Sequence, residues 1–326
     1  MMAFFLWSRF HTMEKEGGEG SLRHKAGQMR TFLRQWQLQS MVIPGIVWMF
    51  IFCYIPMIWL IIAFMDYSIS GPVLESPFVG LKHFEDFTSD DRFWRSIRNT
   101  LGMSSLRLAL GFCIPILFAL MLNEIRSIRF KRTVQTISYL PHFIAWTIFG
   151  GILLNWLGEG GVMNQLMMAI GVQDREILYN SDPKYFWWIT FFSDTLKETG
   201  WSAIIYIAAI AGIDPALYEA AELDGASRGQ RMWHITVQSI RPTIAILFIL
   251  AVAGMLGSNF DQIFMLKNNM NIKMAESLDL YIYNMGLVSG RYSFSTAVLF
   301  ARSIVALALL FMANYASKKL SGDGIF

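Results

Sequence analysis

The sequence predicts an all-α integral membrane protein with about six transmembrane helices. Three observations predict it. Of 326 residues, 54% are hydrophobic and only 16% are charged, where a soluble domain carries about 25% charged residues. Six apolar stretches approach the roughly 20 residues needed to cross a bilayer. Basic residues gather in alternate connecting segments, as topology rules require of loops on the inner side.

The elements follow in chain order. Residues 1–40 form a polar N-terminal segment. Within it, Met1–Trp7 is apolar but has no basic residues ahead of it, so it does not read as a cleaved secretory leader. Gln28–Gln39, with Met29, Phe32, Leu33 and Trp36 against Arg30 and Arg34, reads equally as an interfacial amphipathic helix or as a polar lead-in. The first span is expected at Met41–Met65, and with an outer loop it makes up residues 41–95. The second is expected at Asn99–Asn123, the third at Thr136–Leu157 and the fourth at Trp187–Ala211. The fifth follows at Thr243–Phe264 and the sixth at Thr296–Ala316, closing a membrane domain over residues 96–317 with a tail at 318–326. Pro44, Pro56, Pro115 and Pro141 fall in or near these spans, where membrane helices tolerate them. Cys53 and Cys113 sit in apolar runs and read as small buried hydrophobes.

Orientation comes from the cations. Arg9, Lys15, Arg23, Lys25, Arg30 and Arg34 precede the first span. Arg126, Arg129, Lys131 and Arg132 follow the second, Arg228, Arg231 and Arg241 follow the fourth, and Lys318 and Lys319 end the chain. Both termini are therefore expected to be cytoplasmic. A net charge of +3 gives no footprint for nucleic acid. No metal-ligand spacing, phosphate-binding loop, dinucleotide fingerprint or nucleophile elbow is present, so no cofactor of this chain's own and no catalytic residue are expected.

One inner loop needs a separate reason. Asp214-Pro215 gives a helix start, with a capping side chain followed by proline at the first helical position. Glu219-Ala220-Ala221 continues that helix with small side chains, and Gly225 ends or bends it. A second helical run, Gln230–Ser239, leads to Arg241-Pro242 and the fifth span. The pattern places a short, closely approachable helix across the membrane face.

These residues, Glu219-Ala220-Ala221, Asp224-Gly225-Ala226 and Ile235 at its spacing, resemble the EAA loop of permease subunits in binding-protein-dependent ABC importers. Val237-Gln238 stands where that family has Leu-Pro, and Pro242 comes four residues later. The resemblance runs from about Arg98 to Ala316. Trp187–Trp201 is similar to the fourth span of carbohydrate permeases of this family, and Phe260–Phe264, Asp279–Tyr283 and Tyr292–Phe294 are similar to its branch that imports oligo- and polysaccharides. It implies a type I importer permease fold, with Glu219, Ala220, Ala221, Asp224, Gly225 and Ala226 forming a coupling helix against an ATPase subunit. It further implies a second homologous permease, two ATP-binding cassette subunits holding ATP and Mg, and an external solute-binding protein. The implied setting is the bacterial inner membrane, and the implied cargo an oligo- or polysaccharide, with an acidic one such as alginate in range.

Ionisable groups at span depth are costly and are normally paired or functional. Arg107, Asp194, Lys197, Glu198, Asp261 and Arg302 all fall in the outer halves of spans. At 1.5 Å per residue, Arg107 and Arg302 lie roughly 9–12 Å from the outer end. Two readings stand. The groups line a path for an acidic sugar, or the three cations pair with the three acids, Asp194 and Lys197 being three apart on one helix face. Asn155, Asn259, Trp187, Trp188 and Trp201 are either sugar contacts or packing and interfacial anchors. His142 is either pH-sensitive or a satisfied core histidine. A secondary transporter or channel is the rival class. It would need an inverted repeat or broken helices, and the sequence displays neither.

Overall fold

The computed structural model describes residues 36–321. Met1–Trp7, most of the Gln28–Gln39 segment and the end of the tail lie outside the described residues. The chain divides into two compact units, one up to Ile61 and one from Ile62 onward. In the first, α1 (Trp36–Met49) carries Pro44 and continues through a wide turn at Phe50–Tyr54, which precedes Pro56. A proline cannot donate to the carbonyl four residues back, so a locally widened turn absorbs the missing bond.

The second unit starts with α2 (Lys82–Thr88). It continues with α3 (Asp91–Leu106), a wide turn at Arg107–Gly111, and α4 (Cys113–Glu124). The wide turn again precedes a proline, here Pro115, and Phe112 N–H donates to Arg107 O at 2.9 Å across it. α5 (Ile128–Tyr139) ends in a tight turn over Leu140–Phe143, and α6 (Trp146–Leu157) and α7 (Val162–Ala169) follow. α8 (Phe186–Ala211) leads to α9 (Pro215–Leu223) and α10 (Arg228–Arg231). α11 (Arg241–Ala253), α12 (Phe260–Leu266), α13 (Leu278–Tyr283) and α14 (Tyr292–Ser321) complete the unit. Among the described residues the extended pairing is one isolated bridge, Met65 with Phe78.

Three continuous helices are long and apolar enough to cross a membrane: Ser40–Phe64, Asp91–Glu124 and Tyr292–Lys319. Three bent pairs bring the number up to six, in register with the six predicted spans. The third predicted span is not straight, because the helix stops at Phe143 and restarts at Trp146 with a 100° change of direction. The fifth, Thr243–Phe264, is interrupted at Gly257–Asn259. Glycine, serine and asparagine favour a break and a fresh cap over continuation, and hydropathy does not register that.

Three clusters hold the second unit together. α6, α8 and α12 share Phe149, Leu153, Phe186, Ile189, Ile263 and Leu266. α2, α3, α13 and α14 share Phe87, Phe93, Tyr281, Phe294 and Val298. α4 and α8 share Ala119, Leu120, Ala203 and Tyr206. Lipid tails are as apolar as leucine, so packing between spans relies on close approach and polar pairing. Gly200 in α8 lies where any Cβ would run into the Ser138 carbonyl of α5. Elsewhere apolar surface is left open: only 11% of the apolar window of α14 is buried. Cys53 and Cys113 are likewise exposed, not buried as expected, because apolar surface on such spans faces hydrocarbon as readily as protein.

Candidate translocation path and docking helix

α9 is built by its ends. The Asp214 carboxylate accepts from Ala216 N–H at 2.9 Å, and Pro215 occupies the first turn. At the far end Gly225 adopts φ +78°, with Ala226 N–H donating to Ala221 O at 2.9 Å and Gly225 N–H to Glu222 O at 3.1 Å. This is the Schellman termination, which puts a left-handed residue just past the helix and satisfies two terminal carbonyls. Ser227 then opens α10 through a reciprocal cap with Gln230. The axis turns 70° between α8 and α9 and 60° between the α10 segment and α11. Arg231 pairs with Glu222 at 2.7 Å, and Tyr218 and Thr236 share a hydroxyl bond at 2.8 Å. These cross-links tie the two helical runs into one elbow. Glu219, Ala220, Asp224 and Gly225 are exposed, Ala221 and Ala226 half-buried. Leu223, at 91% exposure, points away from the rest of the chain, and Trp233 is also exposed.

The other face of interest is a cleft of about 570 Å³ between α3–α4, α8 and α11. Arg107, Asp194, Glu198 and Trp201 are among its walls. Arg107 sits at the wide turn before Pro115, a local defect of the kind often found at functional positions. Its guanidinium reaches Asp194 only at 3.9 Å and Gly257 O at 3.5 Å, and its side chain is 43% exposed. Asn259 caps α12 and lies with Asp194 around a smaller cavity of about 30 Å³.

Of the expected pairings, the one between Asp194 and Lys197 is not formed. Lys197 is almost fully buried and donates to His142 O at 2.7 Å and to Glu198 Oε1 at 3.1 Å, with its ammonium 5.4 Å from the Trp146 ring centre. The other Glu198 oxygen lies 2.6 Å from His142 Nδ1, and the His142 ring stacks on Trp201 at 4.3 Å. This cluster clasps the break at the third span, where the chain cannot supply its own hydrogen bonds. Arg302 pairs with Asp279, not with an acid of the expected set. Asp279 also accepts from Ser258 N–H and Ser258 Oγ, both at 2.7 Å, so it fastens the fifth-span break to α14. Asp261 is exposed in the first turn of α12. Trp187 donates to Met274 O at 3.1 Å and is a packing residue; Trp188 and Asn155 are exposed.

Sequence reasoning missed a second buried carboxylate. Glu276 is 2% exposed, bonds Arg92 at 2.5 Å and lies 3.7 Å from Arg95. Nearby, Tyr281 donates to Asp90 at 2.6 Å, and burial together with that acceptor holds the phenol well above its ordinary pKa, so it remains a donor. The acid–base pairs are about 180 or more residues apart, so no local spacing announces them.

Similarity to known proteins agrees with this geometry. The family described as "Binding-protein-dependent transport system inner membrane component" matches residues 111–321. The chain belongs to that family. The permease is 40% identical over 299 residues to protein LplB of Bacillus subtilis, covering 91% of this chain and 93% of the relative. It is also 40% identical over 295 residues to the polygalacturonan/rhamnogalacturonan transport system permease protein YteP of the same organism, covering 90% and 91%. A chain of a bacterial ABC transporter involved in import of the acidic polysaccharide alginate superimposes with TM-score 0.81 at 37% identity, covering 90% of this chain and 99% of that one. The alginate transporter in complex with an alginate pentasaccharide-bound periplasmic protein gives the same TM-score and identity over 91% and 99%. The permease is thus a multi-pass membrane component of a carbohydrate ABC importer. The broken helices that a secondary transporter would need, which the sequence does not display, are present in the structure, and it is the family match that decides for an importer permease.

Proposed function

We propose that this permease forms one wall of the path for an acidic oligo- or polysaccharide and that the elbow at α9 transmits the drive. The observation that carries the drive is the exposed, doubly capped helix held crosswise by a glycine in the left-handed region. A helix so fixed at both ends moves as a body when gripped, and its cross-links to the following run pass that motion to α11. In this reading two ATPase subunits grip Glu219–Ala226 and its counterpart on a second homologous permease. ATP and Mg belong to those subunits, and this chain carries no hydrolytic chemistry. A solute-binding protein delivers the sugar on the opposite face. The basic segments support a cytoplasmic position for both termini and for α9. ATP-driven closure then shifts the population between inward- and outward-facing packings.

Support for an acidic cargo comes from the loosely held Arg107 in the cleft, together with the acidic polysaccharides named for YteP and for the alginate importer. A guanidinium presents a planar fork suited to a carboxylate. The test is purification from native membrane with co-purifying subunits, followed by ATPase assay with oligogalacturonate or oligoalginate and the matching binding protein. Co-purification of an ATPase and a second permease, stimulated by the acidic sugar, is expected. A chain that purifies alone and moves solute without ATP overturns the reading.

A further inference from the structure

The cleft above leaves a second cavity unexplained. About 570 Å³ of open space lies between α11 and α14, bounded on one side by Phe112. Its walls are apolar, with Ile244, Phe248, Val252 and Met312 among them, and Phe112 stacks edge-on against Phe248 at 5.5 Å. One end differs. Arg241, the first residue of α11, lines the cavity there beside Ala316 and Ser317 of α14. Lys318 and Lys319 follow directly on the same helix. Arg241 is therefore the cation in the crevice wall, with Lys318 and Lys319 just beyond that end of it along α14. This end is next to the α9–α10 elbow, the cytoplasmic end in the orientation given above.

We propose that this crevice binds an anionic phospholipid of the cytoplasmic leaflet. The chemistry is complementary at both ends. An apolar slot between two spans takes an acyl chain, and cations at the bilayer boundary take a phosphate-bearing headgroup. Arg241 favours such a group through its planar donors, where a lysine alone would act as a point charge. A water-soluble ligand does not fit the slot, because beyond the Arg241 and Ser317 end its walls are aliphatic and aromatic and offer no partners for polar atoms. The position has a consequence. Arg241 stands at the 60° bend between the α10 segment and α11, so a bound headgroup braces the joint through which the elbow moves the fifth span.

The test uses the protein with its co-purifying subunits, exposed to equal phosphatidylglycerol and phosphatidylcholine and examined by native mass spectrometry. The wild type is expected to retain phosphatidylglycerol preferentially. Arg241→Gln should reduce that preference about fivefold, the equivalent of roughly 1 kcal/mol per cation at an anionic surface. Lys318→Gln with Lys319→Gln, on the helix end, removes two cations and should reduce it by up to about thirtyfold; it serves as the charge test if Arg241→Gln fails to assemble. Ala245→Trp, which fills the slot, should lower retention of both lipids. Equal retention of the two lipids by the wild type overturns the proposal, as does an unchanged preference in the charge variants. Disulfide capture of Ala313→Cys by a helix of another subunit also overturns it, since the slot would then be a subunit interface.

Discussion

The elbow at 214–239 and the charged breaks at 144–145 and 257–259 solve the same problem in opposite ways. Both are places where a membrane helix stops. At the elbow the chain ends meet water, and each terminus is satisfied by residues within a few positions: Asp214 on Ala216, Gly225 and Ala226 on the preceding turn, Ser227 and Gln230 on each other. At the breaks satisfaction comes from far along the chain: Lys197 on His142 O, Asp279 on Ser258, Arg302 on Asp279. The elbow is therefore held in shape by its own short-range bonds, which suits a part that must be pushed as a unit. The breaks are tied tightly across spans, which suits parts that must keep the helices in register.

The sharpest way to break this contrast is at Gly225. A Cβ there would meet nothing within 4 Å, so only the φ of +78° opposes substitution. Gly225→Val should abolish sugar-stimulated ATP hydrolysis while membrane insertion and thermal stability stay near wild type, because the strain of roughly 1–2 kcal/mol falls on a local turn. Gly225→Asn, which tolerates the left-handed region, should retain most of the stimulation. Normal stimulation in the valine variant would remove the elbow from the mechanism.

Lys197 provides the opposite outcome. Lys197→Met takes the buried ammonium away from the His142 carbonyl and from half-buried Glu198, and so removes the clasp at the third-span break. It should cost about 3–5 kcal/mol of stability, read as a fall in Tm in detergent. Lys197→Met with Glu198→Gln should recover a large part, since a neutral pair removes the stranded charge. If the single variant melts like the wild type, the break is held by packing alone. Glu276→Gln should be milder, about 1–3 kcal/mol, because Arg92 and Arg95 retain water contact when their partner is neutralised. Sugar-stimulated hydrolysis per folded complex should be unchanged in that variant.

The same contrast explains what the sequence made legible. The six span positions and the elbow are local in sequence: hydropathy over 20 residues, an Asp-Pro start, a glycine stop. They were readable for that reason. The breaks were not, because a hydropathy window averages Gly257, Ser258 and Asn259 into an apolar run. Spacing favours a pair between Asp194 and Lys197, three apart on one helix face. The structure instead joins Lys197 to the third span and Arg302 to Asp279 in α13, because an ammonium in an apolar setting takes whichever backbone carbonyl a broken helix leaves open. Arg107 was identified by depth, and it does face the cleft, but nothing in its neighbours indicated that its pairing with Asp194 would be loose.

That looseness makes Arg107 the finest test of the contrast. Its nearest carboxylate oxygen is 3.9 Å away and nearly half its side chain is open to the cleft. A pair of that kind contributes about 0–1 kcal/mol, so Arg107→Gln should leave Tm almost unmoved, unlike Lys197→Met. If the guanidinium instead meets the cargo, uptake of an acidic oligosaccharide should fall by roughly ten- to a hundredfold, since a charge-assisted bond is worth about 1.5–3 kcal/mol. A neutral oligosaccharide of equal length, if carried at all, should lose much less. Equal losses for the two sugars would make Arg107 another member of the structural set and return the acidic specificity to the binding protein alone.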